Sequence, residues 1–284
     1  MSPRSFRGRS FLFPTSVAVA PIAAALLLLG ATGCSLGQGN GDVKSDMLFA
    51  RDCWGSDDAG ANGQPQGDSY DLKPDFFAAI PYRDAMLIRV QRGTDVQEVS
   101  DGIAVLVDDV PRVRAALKNP PAGGAPIGSP TTCAPTPENS SDLGSDGGTL
   151  FPDDCPPGTV GFPVAIPLGV VPPGSPTVPP QDLIDDPPIV HLSLYLQRSC
   201  HNANVALHAV SGKVCFAALF SGDRNETQAD QKLTDVKAFS VQIGDIRDVP
   251  VGKSAREIPC ERQSTLRGSF NFYFERGQPG QPFP

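Results

Sequence analysis

Three histidines, His191, His201 and His208, are the side chains best suited to acid–base or metal chemistry near neutral pH. A metal site needs several such ligands at one point. The residues around His191 and His208 alternate in polarity, which places both on the outward faces of predicted strands, whereas His201 falls in a loop. We therefore predict solvent-facing or cross-strand packing roles and no cofactor. The alternative is a pair formed by His191 and His208 across neighbouring strands.

The acidic segment Asp142–Asp154 offers carboxylate oxygens, which are the ligands that calcium prefers. Its spacing matches no calcium loop, and no glutamate closes it. We predict a solvated loop here and at the second acidic cluster, Asp182, Asp185 and Asp186. The alternative is a carbohydrate- or calcium-dependent adhesion module that uses the Asp142–Asp154 loop.

The segment Gly67-Asp68-Ser69-Tyr70 resembles the nucleophile block of GDSL-type hydrolases. The resemblance implies a nucleophile at Ser69, which would need a late Asp-x-x-His because an unassisted hydroxyl is a poor nucleophile. The last histidine is His208, and no aspartate stands three residues before a histidine near the C-terminus. We predict no enzymatic activity, with a degenerate serine hydrolase as the alternative.

The N-terminus has the organisation of an export signal. Arg4, Arg7 and Arg9 precede an apolar stretch of 13 residues, Val17–Leu29. That length suits a secretory signal and falls short of the ~20 residues that a membrane-spanning helix needs. Small residues then lead to a cysteine, Cys34.

The end of this leader, Ala31-Thr32-Gly33-Cys34, resembles the lipobox of bacterial lipoprotein precursors, although a branched residue is more usual at the position of Ala31. The resemblance implies removal of residues 1–33, a diacylglycerol on the Cys34 thiol and acylation, as with palmitate, of the new amino group. Two or more acyl chains suffice for stable membrane anchoring. Because Ser35 is not aspartate, the resemblance also implies sorting to the outer membrane of the bacterial cell envelope. The alternative is an ordinary secreted protein.

Six cysteines remain besides Cys34, an even number that predicts three disulfides in an exported chain. Proximity along the chain favours the pairs Cys53–Cys260, Cys133–Cys155 and Cys200–Cys215. No Cys-x-x-Cys spacing occurs, which disfavours a zinc ribbon or a thioredoxin-type redox centre.

Composition limits the partners. Without the three leader arginines, 20 basic and 31 acidic side chains remain, a net charge of −11. Such a chain repels phosphate backbones, so we predict no nucleic-acid partner. No Lys/Arg cluster remains to bind anionic lipid, which leaves the acyl chains as the membrane contact.

Composition also divides the chain. Residues 34–46 comprise the lipidated cysteine and a glycine-rich segment predicted to be a flexible tether. Residues 47–118 and 189–284 carry short alternating segments typical of strands. Residues 119–188 hold 18 of the 30 prolines and ten glycines. Proline removes a backbone donor, so we predict a long insertion that is neither sheet interior nor helix.

The strand pattern is strongest at Leu266–Phe274 and at Ile189–Gln197. Ser211-Gly212 is predicted to be a hairpin turn between two strands. Asp109 as a cap and Pro111 in the first turn predict a short helix that ends at Lys118.

Seven or eight such strands in two blocks predict an all-β fold, an antiparallel two-sheet sandwich with a long Pro/Gly-rich insertion. A partly open barrel is the alternative. Since no nucleophile–base pair or metal cluster is evident, we predict a membrane-anchored lipoprotein with a non-catalytic binding or structural module outside the cytoplasm. Its partner would be an envelope protein or a glycan, and support for a larger envelope assembly is a further possibility.

Overall fold

A computed structural model of the 284-residue chain describes residues 39–50, 53, 67–93, 100–119, 155–166, 188–200, 204–223, 225–250 and 258–274. These residues belong to one compact unit, Ser35–Pro284. Several residues singled out from the sequence lie outside the described residues: Cys34 with the leader, His201, Cys133, the Asp142–Asp154 loop, and Asp182, Asp185 and Asp186.

The described residues form ten strands and one α-helix. The strands are β1 (Gly39–Leu48), β2 (Asp68–Leu72), β3 (Phe76–Tyr82), β4 (Ala85–Gln91), β5 (Gly102–Val107), β6 (Val160–Pro163), β7 (Val190–Leu196), β8 (Val205–Ala218), β9 (Leu233–Gly244) and β10 (Gln263–Tyr273). The helix α1 is Val110–Lys118, and short 3-10 turns lie at Ala229–Gln231, Ile246–Asp248 and Cys260–Arg262.

All ten strands belong to one antiparallel sheet. Its order is β2-β1-β10-β9-β8-β7-β5-β4-β3, and β6 pairs with the second half of β8. The sheet curls onto itself, because the rings of Phe77 on β3 and Phe272 on β10 stack 5.7 Å apart although their strands lie near opposite ends of this order. The all-β prediction is therefore confirmed as one large curled sheet, whereas a division into two sheets is not.

The core lies inside this curl. Alternate residues of β10, from Ser264 to Phe272, are buried, as the sequence pattern predicted. The interior is rich in aromatic rings, and the fully buried phenylalanines are Phe216, Phe220, Phe239, Phe270 and Phe272. Burial of such rings supplies much of the hydrophobic stabilisation of a domain of this size.

The prediction of a flexible tether is wrong from Gly39 onward, because residues 39–48 form β1 and pair with β10 and β2. The glycines there serve packing. A Cβ at Gly39 would lie 2.5 Å from the Cβ of Phe272, and one at Gly41 would lie 3.1 Å from the Cβ of Phe270. Glycine lets β1 cross these two phenylalanines closely.

The predicted hairpin at Ser211-Gly212 is also wrong, because β8 continues through both residues. Gly212 has a φ of 109°, and the register with β9 shifts between Ala209 and Ser211. A glycine in this conformation marks a β-bulge that bends the strand. The bend lets one edge of β8 pair first with β7 and then with β6.

The predicted helix is confirmed. The side chain of Asp109 accepts a hydrogen bond of 2.9 Å from the backbone N–H of Arg112, and Pro111 lies in the first turn. An aspartate cap satisfies a donor that has no partner within the helix. The helix packs against β8 and buries Val110 and Val113.

The preferred disulfide pairing is wrong. Cys53 bonds to Cys200, and Cys155 bonds to Cys215. Cys260 is also disulfide-bonded. Strand pairing brings the bonded cysteines together. Cys155 directly precedes the region of β6, and β6 lies beside Cys215 on β8. The insertion thus contributes β6, a short strand that pairs only with β8 among the described strands, which agrees with the prediction that its prolines keep it out of the sheet interior.

Two residues with buried hydroxyls are paired across β1 and β2. Ser45 and Tyr70 are register partners, and neither hydroxyl has a hydrogen-bond partner among the described residues. Burial raises the pKa of Tyr70 strongly, and the nearby Asp101 adds to this, whereas Arg92 opposes it.

We expect Tyr70, one of the four tyrosines of the chain, to ionise only when the protein unfolds. Above pH 10.0, the ordinary value for tyrosine, the unfolded chain loses a proton that folded Tyr70 retains, so the free energy of unfolding falls. In an absorbance titration, Tyr70→Phe should remove this step and cost no stability, because the lost hydroxyl is unsatisfied. An unchanged alkaline step in the variant would contradict the assignment.

Candidate binding site

A cavity of about 240 Å³ with a mixed polar and apolar lining lies over the neighbouring strands β4, β5 and β7. Its polar wall consists of Arg89, Gln91, Ser100, Tyr195 and Gln197. Small-molecule sites usually measure about 300–1,000 Å³, so this cavity suits a ligand of about one ring.

Strand register positions the lining side chains. Gln91, Gly102 and Tyr195 form one row across β4, β5 and β7, and Arg89 and Ala104 lie in the next row. Directly paired residues, and residues two apart on a strand, share one face of a sheet. Arg89, Gln91 and Tyr195 therefore point to the same side.

Gly102 makes room for the glutamine. A Cβ at this position would lie 2.6 Å from the Cβ of Gln91 and 2.7 Å from the carbonyl oxygen of Val90. Any larger residue would displace β4 or the Gln91 side chain, so the glycine is required by close approach.

Gln91 is the unusual member of the wall. The residue is 1% exposed, and neither its Nε2 nor its Oε1 has a hydrogen-bond partner among the described residues. An unsatisfied buried polar group costs about 1–3 kcal/mol. Both amide atoms are fully buried, so they lie beneath the surface of the cavity and do not face a molecule bound in it.

Arg89 and Tyr195 flank this amide. Tyr195 is 37% exposed, although every other residue of β7 is buried. Partial burial lowers the pKa of the Arg89 guanidinium, and its interaction with Tyr195 opposes the shift. The cavity therefore combines a planar cation, an aromatic ring and amide groups.

Asp101 holds one side of the cavity in place. Its Oδ1 accepts hydrogen bonds from the backbone N–H groups of Gln197, Arg198 and Ser199 at 2.9, 2.8 and 3.1 Å. The Ser199 hydroxyl donates to its Oδ2. The sequence gives no local signal for this role of Asp101, because its partners lie almost a hundred residues away along the chain.

Ser193 and His208 form a pair that the sequence did not reveal. Their Oγ and Nδ1 atoms lie 2.8 Å apart across β7 and β8, a distance typical of a nucleophile and its base. Both residues are nearly buried, at 5% and 6% exposure. The predicted cross-strand packing role is thus confirmed for His208, and the solvent-facing one is wrong.

Burial lowers the pKa of His208 below its ordinary value of 6.5, and the nearby Asp245 opposes the shift. As the pH falls below 6.5, the unfolded chain takes up a proton that folded His208 resists, so stability decreases by at most about 1.4 kcal/mol per pH unit. Denaturation at pH 7 to 5 should show this loss, and His208→Gln should reduce it. An identical pH slope in the variant would argue against the assignment.

The other described histidine does not pair with His208. The ring nitrogens of His191 lie 2.6 Å from the carbonyl oxygen of Ala165 and 2.9 Å from Oδ2 of Asp108. His191 is 5% exposed, so its predicted solvent-facing role is also wrong. It links β7 to the residues that follow β5 and β6.

Ser69, the candidate nucleophile, lies exposed on β2, the first strand in the order of the described sheet. The described histidines bond to other groups, so neither is placed to activate Ser69.

Within the described ranges, no group of three or more His, Cys, Asp or Glu side chains converges where a metal ion would bind. In the same part of the chain, no helix has both the length and the apolar character needed to span a bilayer.

Among the described residues, the cavity over β4, β5 and β7 is the arrangement best suited to contact a ligand. Comparison of the chain with protein-family models, curated proteins and solved structures gave no match.

Proposed function

We propose that this protein is a lipid-anchored lipoprotein of the bacterial envelope whose curled, sandwich-like β domain binds a partner or ligand without transforming it. The observation that carries the proposal is the cavity over β4, β5 and β7, where Arg89, Tyr195 and Gln197 line one volume of about 240 Å³. Ligand sites are concave and combine a few polar groups with apolar surface in this way.

The disulfides support an extracytoplasmic location. Cys53–Cys200 and Cys155–Cys215 join residues distant in sequence, and such bonds persist in oxidising compartments. The leader and Cys34 supply the export and anchoring part of the proposal.

Anchoring is tested by growing cells with an alkyne-labelled palmitate. Wild-type protein should carry the label and sediment with membranes. A Cys34→Ser variant should lose both properties, and a mature N-terminus at another residue would overturn the anchor.

Binding is tested in intact cells with a photocrosslinking amino acid at Tyr195, at the rim of the cavity. Tyr273 is 50% exposed on β10 and supplies the matched control position. We expect a discrete adduct from position 195 that position 273 does not give. Equal labelling at both positions, or none, would count against a binding role for the cavity.

Catalysis is tested on the purified protein with a broad panel of ester and glycoside substrates. We expect no turnover. Turnover that Ser193→Ala abolishes would replace the binding proposal with a hydrolase centred on Ser193 and His208, which lie 2.8 Å apart.

A further inference from the structure

We infer that the cavity over β4, β5 and β7 binds an uncharged aromatic ring, which lies over β5 between the Tyr195 ring and the Arg89 guanidinium. This inference rests on the proposed binding function and names its ligand class.

The small residues of β5 leave a gap on this face of the sheet. Tyr195 on β7 is paired with Gly102, and Arg89 on β4 is paired with Ala104. All four residues line the cavity. Glycine has no side chain and alanine has a single carbon, so the two long side chains flank a strand that carries little bulk. A bound ring would occupy the place that a larger side chain on β5 would take.

The spacing of the strands fits one ring in this gap. Neighbouring strands lie about 4.8 Å apart, so β4 and β7, which flank β5, are about 10 Å apart. A ring centred over β5 is then about 5 Å, in this direction, from the strand on either side. Aromatic pairs prefer centroid distances of about 4.5–7 Å, and a cation contacts a ring within about 6 Å of its centroid.

The volume agrees with a ligand of this size. The cavity measures about 240 Å³, and a cavity of about 150 Å³ is enough to hold benzene. One aromatic ring with a small substituent therefore fits, whereas a longer ligand would extend into solvent.

Tyr195 provides an aromatic face for the ring. It is 37% exposed, although every other residue of β7 is buried. A second ring that packs against Tyr195 removes apolar surface of both rings from water and gains the interaction of an aromatic pair.

Arg89 provides a positive charge on the other side. Its side chain is half-buried, and a guanidinium keeps its charge at neutral pH. A cation attracts the electron-rich face of an aromatic ring, and the attraction is larger where the cation is partly removed from water. Only this charge is needed, so hydrogen bonds from the guanidinium to other groups do not interfere.

These two contacts define the ligand class. A saturated ring of equal size fills the volume but has no electron-rich face, and a positively charged ring is repelled by Arg89. We therefore expect a preference for rings such as phenol and indole. The ring can belong to a free molecule or to a tyrosine or tryptophan side chain of a partner protein, and the experiment distinguishes these sources.

The test uses the complete mature protein with its disulfides intact. Saturation-transfer NMR is recorded with 4-methylphenol and with 4-methylcyclohexanol, each at on the order of 10 mM, where millimolar affinities are visible. The two probes have the same skeleton and the same hydroxyl, and only the first is aromatic. We expect 4-methylphenol to bind at least about tenfold more tightly.

N-acetyl-tyrosine amide separates the two sources of the ring. Tighter binding of this probe than of 4-methylphenol would assign the ring to a partner protein, and weaker binding would assign it to a free molecule. Either result agrees with an aromatic ligand.

Variants then locate the site. Ala104→Leu fills the gap while Tyr195 and Arg89 stay in place, so we expect about a tenfold or larger loss of affinity for 4-methylphenol. Tyr195→Leu keeps an apolar side chain and removes the ring, and Arg89→Met keeps the length and removes the charge. Each should weaken binding about threefold or more. Tyr273→Leu is the matched control, because this tyrosine is 50% exposed on β10 outside the cavity and its loss should leave the affinity unchanged.

Thermal denaturation shows whether each variant is folded. The three cavity variants change residues at the surface of the cavity, so we expect a cooperative transition for each of them. If Ala104→Leu does not fold, Tyr195→Leu and Arg89→Met still test the two contacts separately.

The outcomes separate the two proposals. Equal binding of 4-methylcyclohexanol, or binding of 4-methylphenol that survives all the cavity variants that fold, overturns the aromatic assignment. If no aromatic probe binds while position 195 still crosslinks a partner in cells, the aromatic inference fails and the binding function stands. If both experiments are negative, both fail.

Discussion

Replacing Asp101 with alanine is expected to lower the free energy of unfolding by about 3–5 kcal/mol. The substitution leaves the backbone N–H groups of Gln197, Arg198 and Ser199 without their acceptor, and each unsatisfied donor costs about 1–3 kcal/mol. Asp101 is 7% exposed, so water cannot readily replace the carboxylate. Urea denaturation of wild type and variant measures the change.

Asp109→Ala is the matched control, because within the described part of the chain that carboxylate accepts one backbone hydrogen bond, from Arg112. Loss of one helix cap should cost about 1 kcal/mol. Asp101→Asn keeps one acceptor oxygen and should fall between the two alanine variants. An Asp101→Ala effect no larger than that of Asp109→Ala would show that the three N–H groups do not depend on Asp101.

Removal of the Cys155–Cys215 disulfide is the second large effect that we expect. The bond closes a sequence separation of 60 residues, and cross-links of this span stabilise proteins by about 2–4 kcal/mol, chiefly by restricting the unfolded chain. A Cys155→Ala/Cys215→Ala variant should lose that amount in urea denaturation under non-reducing conditions. A loss below about 0.5 kcal/mol would contradict the expectation.

Gly161 provides an internal control for the same bond. A Cβ at Gly161 would lie 2.6 Å from Sγ of Cys155, so Gly161→Ala should destabilise the disulfide-bonded protein. Where Cys155 is already alanine, the clash is gone and the same substitution should cost much less. A double-mutant cycle should therefore show a coupling of about 1 kcal/mol or more, and additive effects would refute the predicted clash.

The sequence predicted those elements whose local pattern has a single physical explanation. Alternation in β10 predicted its buried face, and the Asp109 cap with Pro111 predicted α1. Both depend on neighbours a few residues apart, which a single sequence displays directly.

Glycine misled the interpretation because its role depends on what lies opposite. Gly39 and Gly41 are equally compatible with a flexible linker and with a closely packed strand. Only the close approach of Phe270 and Phe272 shows that they belong to a strand. Gly212 is similar, since positive φ serves a hairpin turn or a bulge.

The candidate site was missed for a related reason. Gln91 and Gly102 become neighbours through strand pairing, and Tyr195 joins them from a strand almost a hundred residues later. None of these residues belongs to a recognisable motif. The disulfide pairs likewise follow from strand order and could not be chosen by proximity along the chain.

The early start of β1 leaves only a short segment between Cys34 and the sheet. Gly39 already belongs to the sheet, so five Cα–Cα steps separate it from Cys34. A fully extended chain covers at most about 3.6 Å per residue, which limits the reach to roughly 18 Å. A protein held by acyl chains on Cys34 would therefore work close to the lipid surface, within about two of the spacings that separate stacked β-sheets. Its ligand would have to be presented at that distance.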